Sequence, residues 1–226
     1  MYARWKPLLD PRIELVPLEL AGRGKRIMDG HYKDLPDAID DVFRKIRDAI
    51  GEDQYALFGH SMGAKIAYEL AHVFRKNCVR EPTHIFFSGW RGPHAAKREK
   101  KFHLMNDEEF VREVLQLGGT PPEFFQYPEL MQLFLPMLKN DFRLAEEDLK
   151  AEGLPFNCDI SIFLGKDDEL TCDHQDGWKR HSLQRCKTYH FEGGHFFLHD
   201  QKEKISHLIN TTLLPKYDAH YSTGVC

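Results

Sequence analysis

The sequence has 226 residues, of which 42% are hydrophobic and 29% are charged, and its formal net charge is −4 at pH 7. This length suits one α/β domain, and the ordinary composition excludes disordered and fibrous classes. The absence of a basic bias argues against nucleic acid as a partner, and no apolar run is long enough to predict a membrane span.

The N-terminal third predicts an alternation of strands and helices. An apolar, partly β-branched run at residues 13–20 predicts the first strand. Residues 35–51 repeat apolar side chains on one helical face and end in glycine, which is a typical helix stop. A second predicted strand at 55–59 leads into a second amphipathic helix at 62–77.

A strand predicted at 83–89 is followed by a long region, 93 to about 152, without a convincing strand. Asn106 is suited to cap a helix here, because acidic residues follow it in the first turn. A second helical stretch contains Pro136, which is expected to kink or break it. The pattern predicts a helical insertion between two strands. Such an insertion either forms a lid over the site or simply packs on the sheet.

Two further strands, at 159–165 and 186–193, and a closing helix at 202–214 complete the pattern. Strands that alternate with helices indicate parallel βαβ units. The sequence therefore predicts one α/β domain over residues 1–226, with a mostly parallel sheet flanked by helices.

The N-terminal residues contain no apolar stretch of the kind found in signal peptides, which favours a cytoplasmic protein with reduced thiols. The cysteines are odd in number and contain no C-x-x-C pair, which argues against disulfide or metal sites. They are Cys78, Cys158, Cys172, Cys186 and Cys226.

Gly59, Ser61 and Gly63 fit the pattern G-x-S-x-G between an apolar strand and an amphipathic helix. A serine on so sharp a turn has a strained backbone, and its flanking glycines approach other backbone closely, so glycine is expected at both positions. The N–H of Met62, at the start of the helix, would then point at an oxyanion formed beside the serine. An ordinary glycine-rich turn is the alternative, and the flanking elements favour a nucleophile.

A serine nucleophile needs a base. Among 13 histidines, His195 is the best placed, because it follows a strand and two glycines and so lies at the sheet edge where Ser61 emerges. The side chain of His60 is expected to point away from the serine hydroxyl. The orienting carboxylate should follow the strand at 159–165, and spacing alone does not separate Asp167 from Asp168.

Several motifs together resemble the stand-alone type II thioesterases of nonribosomal peptide and polyketide synthesis, especially those that accompany Bacillus-type peptide antibiotic synthetases. They are LELAGRGKRI, ALFGHSMGAKIAYELAH, HIFFSGWRGPH, LQLGGTPPE, FLPMLKNDFRLAEED and FEGGHFFL. The resemblance implies an α/β-hydrolase fold with a helical lid. It also implies hydrolysis of acyl groups from the phosphopantetheine arm of carrier proteins. The family pattern selects Asp168 as the acid and carries over directly to Ser61 and His195. No metal or cofactor is implied.

One departure from this family concerns the N-terminus. Relatives usually begin with an extra strand and a glycine-rich loop resembling PYAGGS, ahead of a segment like the YARWKPLL with which this sequence opens. The missing loop normally supplies a second oxyanion N–H, whose loss costs roughly 10²–10³ in rate. Two explanations stay open: a start placed too late, or a truncated and catalytically impaired chain.

Carrier proteins are typically acidic where they dock, so a basic surface is expected. Lys97, Arg98, Lys100 and Lys101 are the candidates, and a solvated charge run without a partner is the alternative. Three rival functions remain at this point: a carboxylesterase for small esters, an acyltransferase, and a carrier-binding module without activity.

Overall fold

The structure is a computed structural model that describes residues 2–51, 53–95, 100–120, 122–149, 153–171 and 176–221. The chain divides into two units. The larger unit is Glu19–Phe196, and the smaller unit joins Met1–Leu18 with Phe197–Cys226. A single domain over the whole chain stays a prediction.

The larger unit is built on a four-stranded parallel sheet with the strand order β1-β2-β3-β4. The strands are β1 Ala56–His60, β2 His84–Ser88, β3 Asp159–Gly165 and β4 Cys186–Phe191. Their register pairs His60 with Ser88 at the carboxyl end of β1 and β2, and Ala56 with His84 at the other end. The predicted parallel sheet and four of its strands are thereby confirmed.

The strand predicted at residues 13–20 is wrong, because the structure assigns no strand to this segment. Its alternating pattern is interrupted by Pro17, which has no N–H to donate to a sheet ladder. Val16 and Leu18 are 61% and 43% exposed, so the alternation does not mark a buried face.

Four helices of the larger unit follow the predicted periodicity: α1 Leu35–Ile50, α2 Met62–Lys76, α3 Asp107–Leu117 and α4 Pro128–Glu146. The side chain of Asn106 accepts the N–H of Glu109 at 3.0 Å, which confirms the predicted cap of α3. Helix α4 continues through Pro136, so a break there is excluded. Short 3₁₀ helices lie at Gly24–Arg26, Phe102–Leu104, Pro122–Phe125 and Asp176–His181.

Helix α2 is buried on two sides, which fixes its position relative to the sheet. One side packs Ala67, Tyr68 and Ala71 into a core with residues of β2 and β3. The other side packs Leu70 and Phe74 against helix α1. Each large side chain buried in this way contributes about 1.5–3 kcal/mol, so the helix that follows Ser61 has little freedom to shift.

The smaller unit contains a 3₁₀ helix, Tyr2–Leu8, another at Phe197–His199, and helix α5, Lys202–Tyr221. Asn210 of α5 accepts the N–H of Asp10 at 3.0 Å and donates to the carbonyl of Leu8 at 3.1 Å. The predicted closing helix is confirmed. Every helix within the described residues is too short or too polar to cross a lipid bilayer.

Helices α3 and α4 lie between β2 and β3, as the sequence predicts, and share an apolar core. Its buried members are Phe102, Phe110, Val114 and Leu135. The described part of this insertion forms helices and turns without a strand; it comprises residues 93–95, 100–120 and 122–149. The predicted helical insertion is confirmed in position.

A buried lysine joins the insertion to helix α2. The ammonium of Lys65 donates to the carbonyls of Leu144 and Ala145, both at 3.0 Å, and to the carbonyl of Glu147. These carbonyls lie at the C-terminus of α4, where a helix leaves its last acceptors without intrahelical donors. Burial lowers the pKa of Lys65 to about 8, against the opposing effect of nearby acidic groups.

Lys65→Met should lower the free energy of unfolding by about 1–3 kcal/mol, because buried carbonyls lose their donor while the apolar length of the side chain is kept. Urea denaturation followed by circular dichroism measures the change. Lys139→Met is the matched control on α4. Lys139 donates to the carbonyl of Met105 and to Asp107, which is 66% exposed on its side chain, so its loss should cost about 1 kcal/mol or less. Equal losses in the two variants would contradict the anchoring role of Lys65.

Candidate active site

The turn between β1 and α2 has the strained geometry that the G-x-S-x-G pattern predicts. The backbone of Ser61 has φ 54° and ψ −118°, in the positive-φ region that residues other than glycine rarely adopt. Its N–H donates to the carbonyl of Ser88 at 2.8 Å, and its own carbonyl accepts from Ala64 at 3.0 Å. Hydrogen bonds from both β2 and α2 therefore hold the strained residue in place.

The two glycines of this turn are not equivalent. A Cβ on Gly59 would lie 2.1 Å from the carbonyl oxygen of Gly63, which no real contact allows, whereas a Cβ on Gly63 would meet nothing within 4 Å. Glycine is thus required at position 59 by the close approach of strand and helix. The expectation that both positions need glycine is wrong for position 63, whose backbone is what the strand end approaches.

Three side chains from separate loops form a hydrogen-bonded series. The Nε2 atom of His195 lies 3.0 Å from the Oγ atom of Ser61, and its Nδ1 atom lies 3.0 Å from Oδ2 of Asp168. An ionised carboxylate can only accept hydrogen bonds, so Nδ1 carries a proton, and in the neutral imidazole Nε2 then accepts the Ser61 hydroxyl. Both His195 and Asp168 are buried, with 5% and 1% of their surface exposed.

Asp168 is held by more than the histidine. Its carboxylate also accepts the Thr171 hydroxyl at 2.9 Å and the N–H of Leu170 at 2.9 Å. Burial raises the pKa of Asp168, but the hydrogen bond and charge of His195, with the bonds from Thr171 and Leu170, bring the pKa below its ordinary value. The carboxylate therefore stays ionised at neutral pH.

The neighbouring acids occupy different positions. Asp167 and Glu169 are exposed, while Asp168 is buried. The backbone N–H of Asp167 donates to the carbonyl of Gly193 at 3.1 Å, which links this turn to the loop that carries His195. The structure thus brings Asp168 to the histidine and leaves Asp167 at the surface.

Met62 is the first residue of α2, directly after Ser61. The first N–H groups of a helix have no acceptor inside that helix, and they lie at the positive end of its dipole. This arrangement suits the stabilisation of negative charge beside the Ser61 hydroxyl.

His60 has contacts at the site that the sequence did not indicate. Its ring lies beside the site, with its centroid 5.0 Å from that of His195 and 5.5 Å from that of Phe196. Its Nδ1 atom lies 2.9 Å from the hydroxyl oxygen of Ser88. Sequence reasoning missed this contact because Ser88 comes from a different strand.

The insertion reaches the same place through Gly119. A Cβ on this residue would lie 2.1 Å from Cε2 of Phe196, so the backbone of Gly119 lies directly against that ring. The ring of Phe196 is in turn 5.0 Å from that of His195, centroid to centroid. Thr171, Ser88 and Phe196 are the neighbours of the site that the motifs did not reveal, although Phe196 directly follows the histidine.

The basic run is described only in part. Lys97 and Arg98 lie outside the described residues. Lys100 pairs with Glu113 at 2.6 Å, and the ammonium of Lys101 donates to the carbonyl of Glu146 at 2.9 Å. Both described lysines therefore already bond within the insertion.

A serine on a strand-to-helix turn, with a histidine and a carboxylate from loops that follow parallel strands, is the arrangement of the α/β-hydrolase class. The profile of the Thioesterase domain family matches residues 1–213, and the chain belongs to this family. It is an enzyme that hydrolyses thioesters, as the motifs predicted.

The chain is similar to proteins of peptide and polyketide biosynthesis, which confirms the predicted resemblance. It is 33% identical to Linear gramicidin dehydrogenase LgrE of Brevibacillus parabrevis over 94% of this chain and 82% of the relative. The structure of ClbQ from the colibactin NRPS/PKS pathway covers 95% of this chain and 91% of its own, with 34% identity and a TM-score of 0.89. RedJ, a thioesterase from the prodiginine pathway in Streptomyces coelicolor, matches 94% of this chain and 84% of its own, with 28% identity and a TM-score of 0.87.

Gly59→Ala should destabilise the protein by about 2 kcal/mol or more, because the new methyl group overlaps a backbone carbonyl that cannot move aside. Gly63→Ala should be neutral or should stabilise by about 0.5–1 kcal/mol, since alanine is the better helix former. Thermal unfolding of the two variants measures the difference. A loss at Gly63 as large as that at Gly59 would contradict the described approach of strand and helix.

Proposed function

We propose that the protein releases acyl groups from the phosphopantetheine arm of carrier proteins in nonribosomal peptide or polyketide synthesis. In this proposal Ser61 is the nucleophile, His195 the general base and Asp168 the group that orients the histidine. The observation that carries it is the pair of 3.0 Å contacts that joins the three side chains in series. Membership of the Thioesterase domain family supports the choice of a thioester as substrate.

In the acylation step, the oxygen of Ser61 attacks the thioester carbonyl while its proton moves to Nε2 of His195. Asp168 keeps the imidazole in the required tautomer and stabilises the imidazolium that forms. The C–S bond then breaks, and the leaving sulfur takes the proton from His195. An acyl-serine and a free pantetheine thiol result.

In the deacylation step, His195 takes a proton from water, whose oxygen attacks the acyl-serine. The proton returns to Ser61 when the acid leaves. In both steps negative charge develops on the carbonyl oxygen, and the N–H of Met62 is the proposed donor to it. The positive end of α2 adds to this stabilisation.

The names of the relatives support the pathway. ClbQ is described as part of an NRPS/PKS pathway, and RedJ as a thioesterase of prodiginine biosynthesis. A cytoplasmic location accompanies the proposal, because the free thiols of Cys78 and Cys186 suit a reducing compartment.

Helices α3 and α4 would form the lid over the acyl chain. The contact of Gly119 with Phe196 supports this role, since it brings the insertion against a ring that packs on His195. A lid in this position would keep water from the acyl-serine until the thiol has left.

Asp168→Asn should lower kcat by about 10⁴, because the amide no longer holds the productive tautomer of His195. Asp167→Asn is the matched control, and an exposed side chain of this kind should change kcat by a factor of about two or less. Acyl-pantetheine hydrolysis, measured by thiol release, gives both values. A large loss of kcat at Asp167 together with a small loss at Asp168 would show that Asp168 is not the carboxylate that orients His195.

The double variant Lys97→Glu/Arg98→Glu should raise KM for an acyl-carrier and leave KM for acyl-pantetheine unchanged, because reversed charge repels an acidic carrier. The control is Lys179→Glu/Lys187→Glu, which makes the same change in net charge on exposed lysines outside the insertion. A rise in KM for both substrates, or the same rise in the control, would count against docking at Lys97 and Arg98. A wild-type enzyme that hydrolyses nitrophenyl esters but not acyl-carriers would instead be a carboxylesterase.

A further inference from the structure

Ser88, at the carboxyl end of β2, contacts Ser61 and the residue before it, His60. Its backbone carbonyl accepts the N–H of Ser61 at 2.8 Å. Its hydroxyl oxygen lies 2.9 Å from Nδ1 of His60, the residue before the serine. Ser88 has no exposed surface, so its hydroxyl contacts other protein groups and not the solvent.

The ring of His60 occupies a tightly bounded space. A Cβ on Gly89 would lie 2.5 Å from Cε1 of His60, and Gly89 itself has φ 58°, so only glycine leaves room for the ring. His60 is 7% exposed. The ring lies against that of His195 at a centroid distance of 5.0 Å and an angle of 46°.

His195 needs such a neighbour. It follows Gly193 and Gly194 in the loop after β4, and Gly193 has φ 111°. Asp168 fixes the imidazole at one nitrogen only, and a rotation about that hydrogen bond would move Nε2 away from Ser61. The rings of His60 and Phe196 both pack against the imidazole and oppose this rotation.

We propose that Ser88 is a positioning residue for the reaction: its hydroxyl fixes the ring of His60, and that ring holds the imidazole of His195 in line with Ser61. The terminal torsion of a histidine side chain has a broad intrinsic minimum, so its surroundings set the orientation of the ring of His60. Beside the close packing at Gly89, the hydrogen bond with Ser88 fixes the position of Nδ1. This inference rests on the proposed roles of Ser61 and His195.

The same sheet contains a matched pair that serves as a control. Ser161 of β3 is bonded to Nε2 of His84 at 2.9 Å, and both residues are buried. His84 begins β2, whereas Ser88 ends it, and Ser161 pairs with Phe86 in the middle of β2, so this second pair lies away from the carboxyl end of the strands. Ser161→Ala and Ser88→Ala therefore remove the same kind of hydrogen bond from the same sheet.

The experiment compares the labelling of Ser61 by a fluorophosphonate in the wild type, S88A and S161A. We expect the maximal labelling rate of S88A to fall by on the order of 10- to 10²-fold, because a small displacement of the base slows attack by the serine. Its half-saturating probe concentration should stay within about twofold, since misplacement of the base does not change probe binding. S161A should label like the wild type, although both variants lower the unfolding midpoint by similar amounts. Rates are measured well below those midpoints.

Equal labelling rates in S88A and S161A would overturn the proposal, as would a loss in S88A confined to probe binding. If S88A does not fold, the variant His60→Asn tests the same proposal. Its amide can keep the hydrogen bond to Ser88, but it lacks the ring that contacts His195, so the same loss of maximal rate is expected. Wild-type labelling in that variant would also overturn the proposal. Because labelling needs no thioester, a wild type that labels but releases no acyl group from carriers contradicts the proposed function alone.

Discussion

The close approach of Gly59 to the backbone of Gly63 is the constraint on which the site depends. Strand β1 and helix α2 come within contact distance there, so the chain must reverse through a single residue, Ser61, at a positive φ. The carbonyl of Ser88 and the buried faces of α2 hold this turn against its strain. The serine hydroxyl consequently emerges at the edge of the sheet where β3 and β4 end and the loops after them begin.

The elements and the sharp turn that carries Ser61 could be predicted because their signals are local. The glycine spacing around Ser61, the apolar runs of the four strands and the cap at Asn106 are each contained in a few neighbouring residues. The run at 13–20 has a similar local pattern, yet a strand also needs a hydrogen-bonded neighbour, and Pro17 removes a donor. The alternation of apolar residues does not show whether a neighbouring strand is there to pair with.

The choice between Asp167 and Asp168 lay beyond spacing, because consecutive side chains point in different directions. The bond between Asp167 and Gly193 helps set the direction of each side chain, and the two residues are far apart in the sequence. The contact of His60 with Ser88 escaped prediction for the same reason, since Ser88 comes from the neighbouring strand. Family motifs identified Asp168, but they contain no information on the packing around it.

The bond of Lys65 to the last turn of α4 has a consequence for protein engineering. An exchange of helical segments between relatives is an obvious way to alter acyl selectivity, and the natural junctions would be the ends of the insertion. A junction upstream of Leu144 would keep the acceptors of the lysine in the host sequence, whereas one downstream of Glu147 would import them from the donor. Chimeras of the second kind need a donor whose own α2 carries a cation at the equivalent position, or the transplanted helix loses its fixed end.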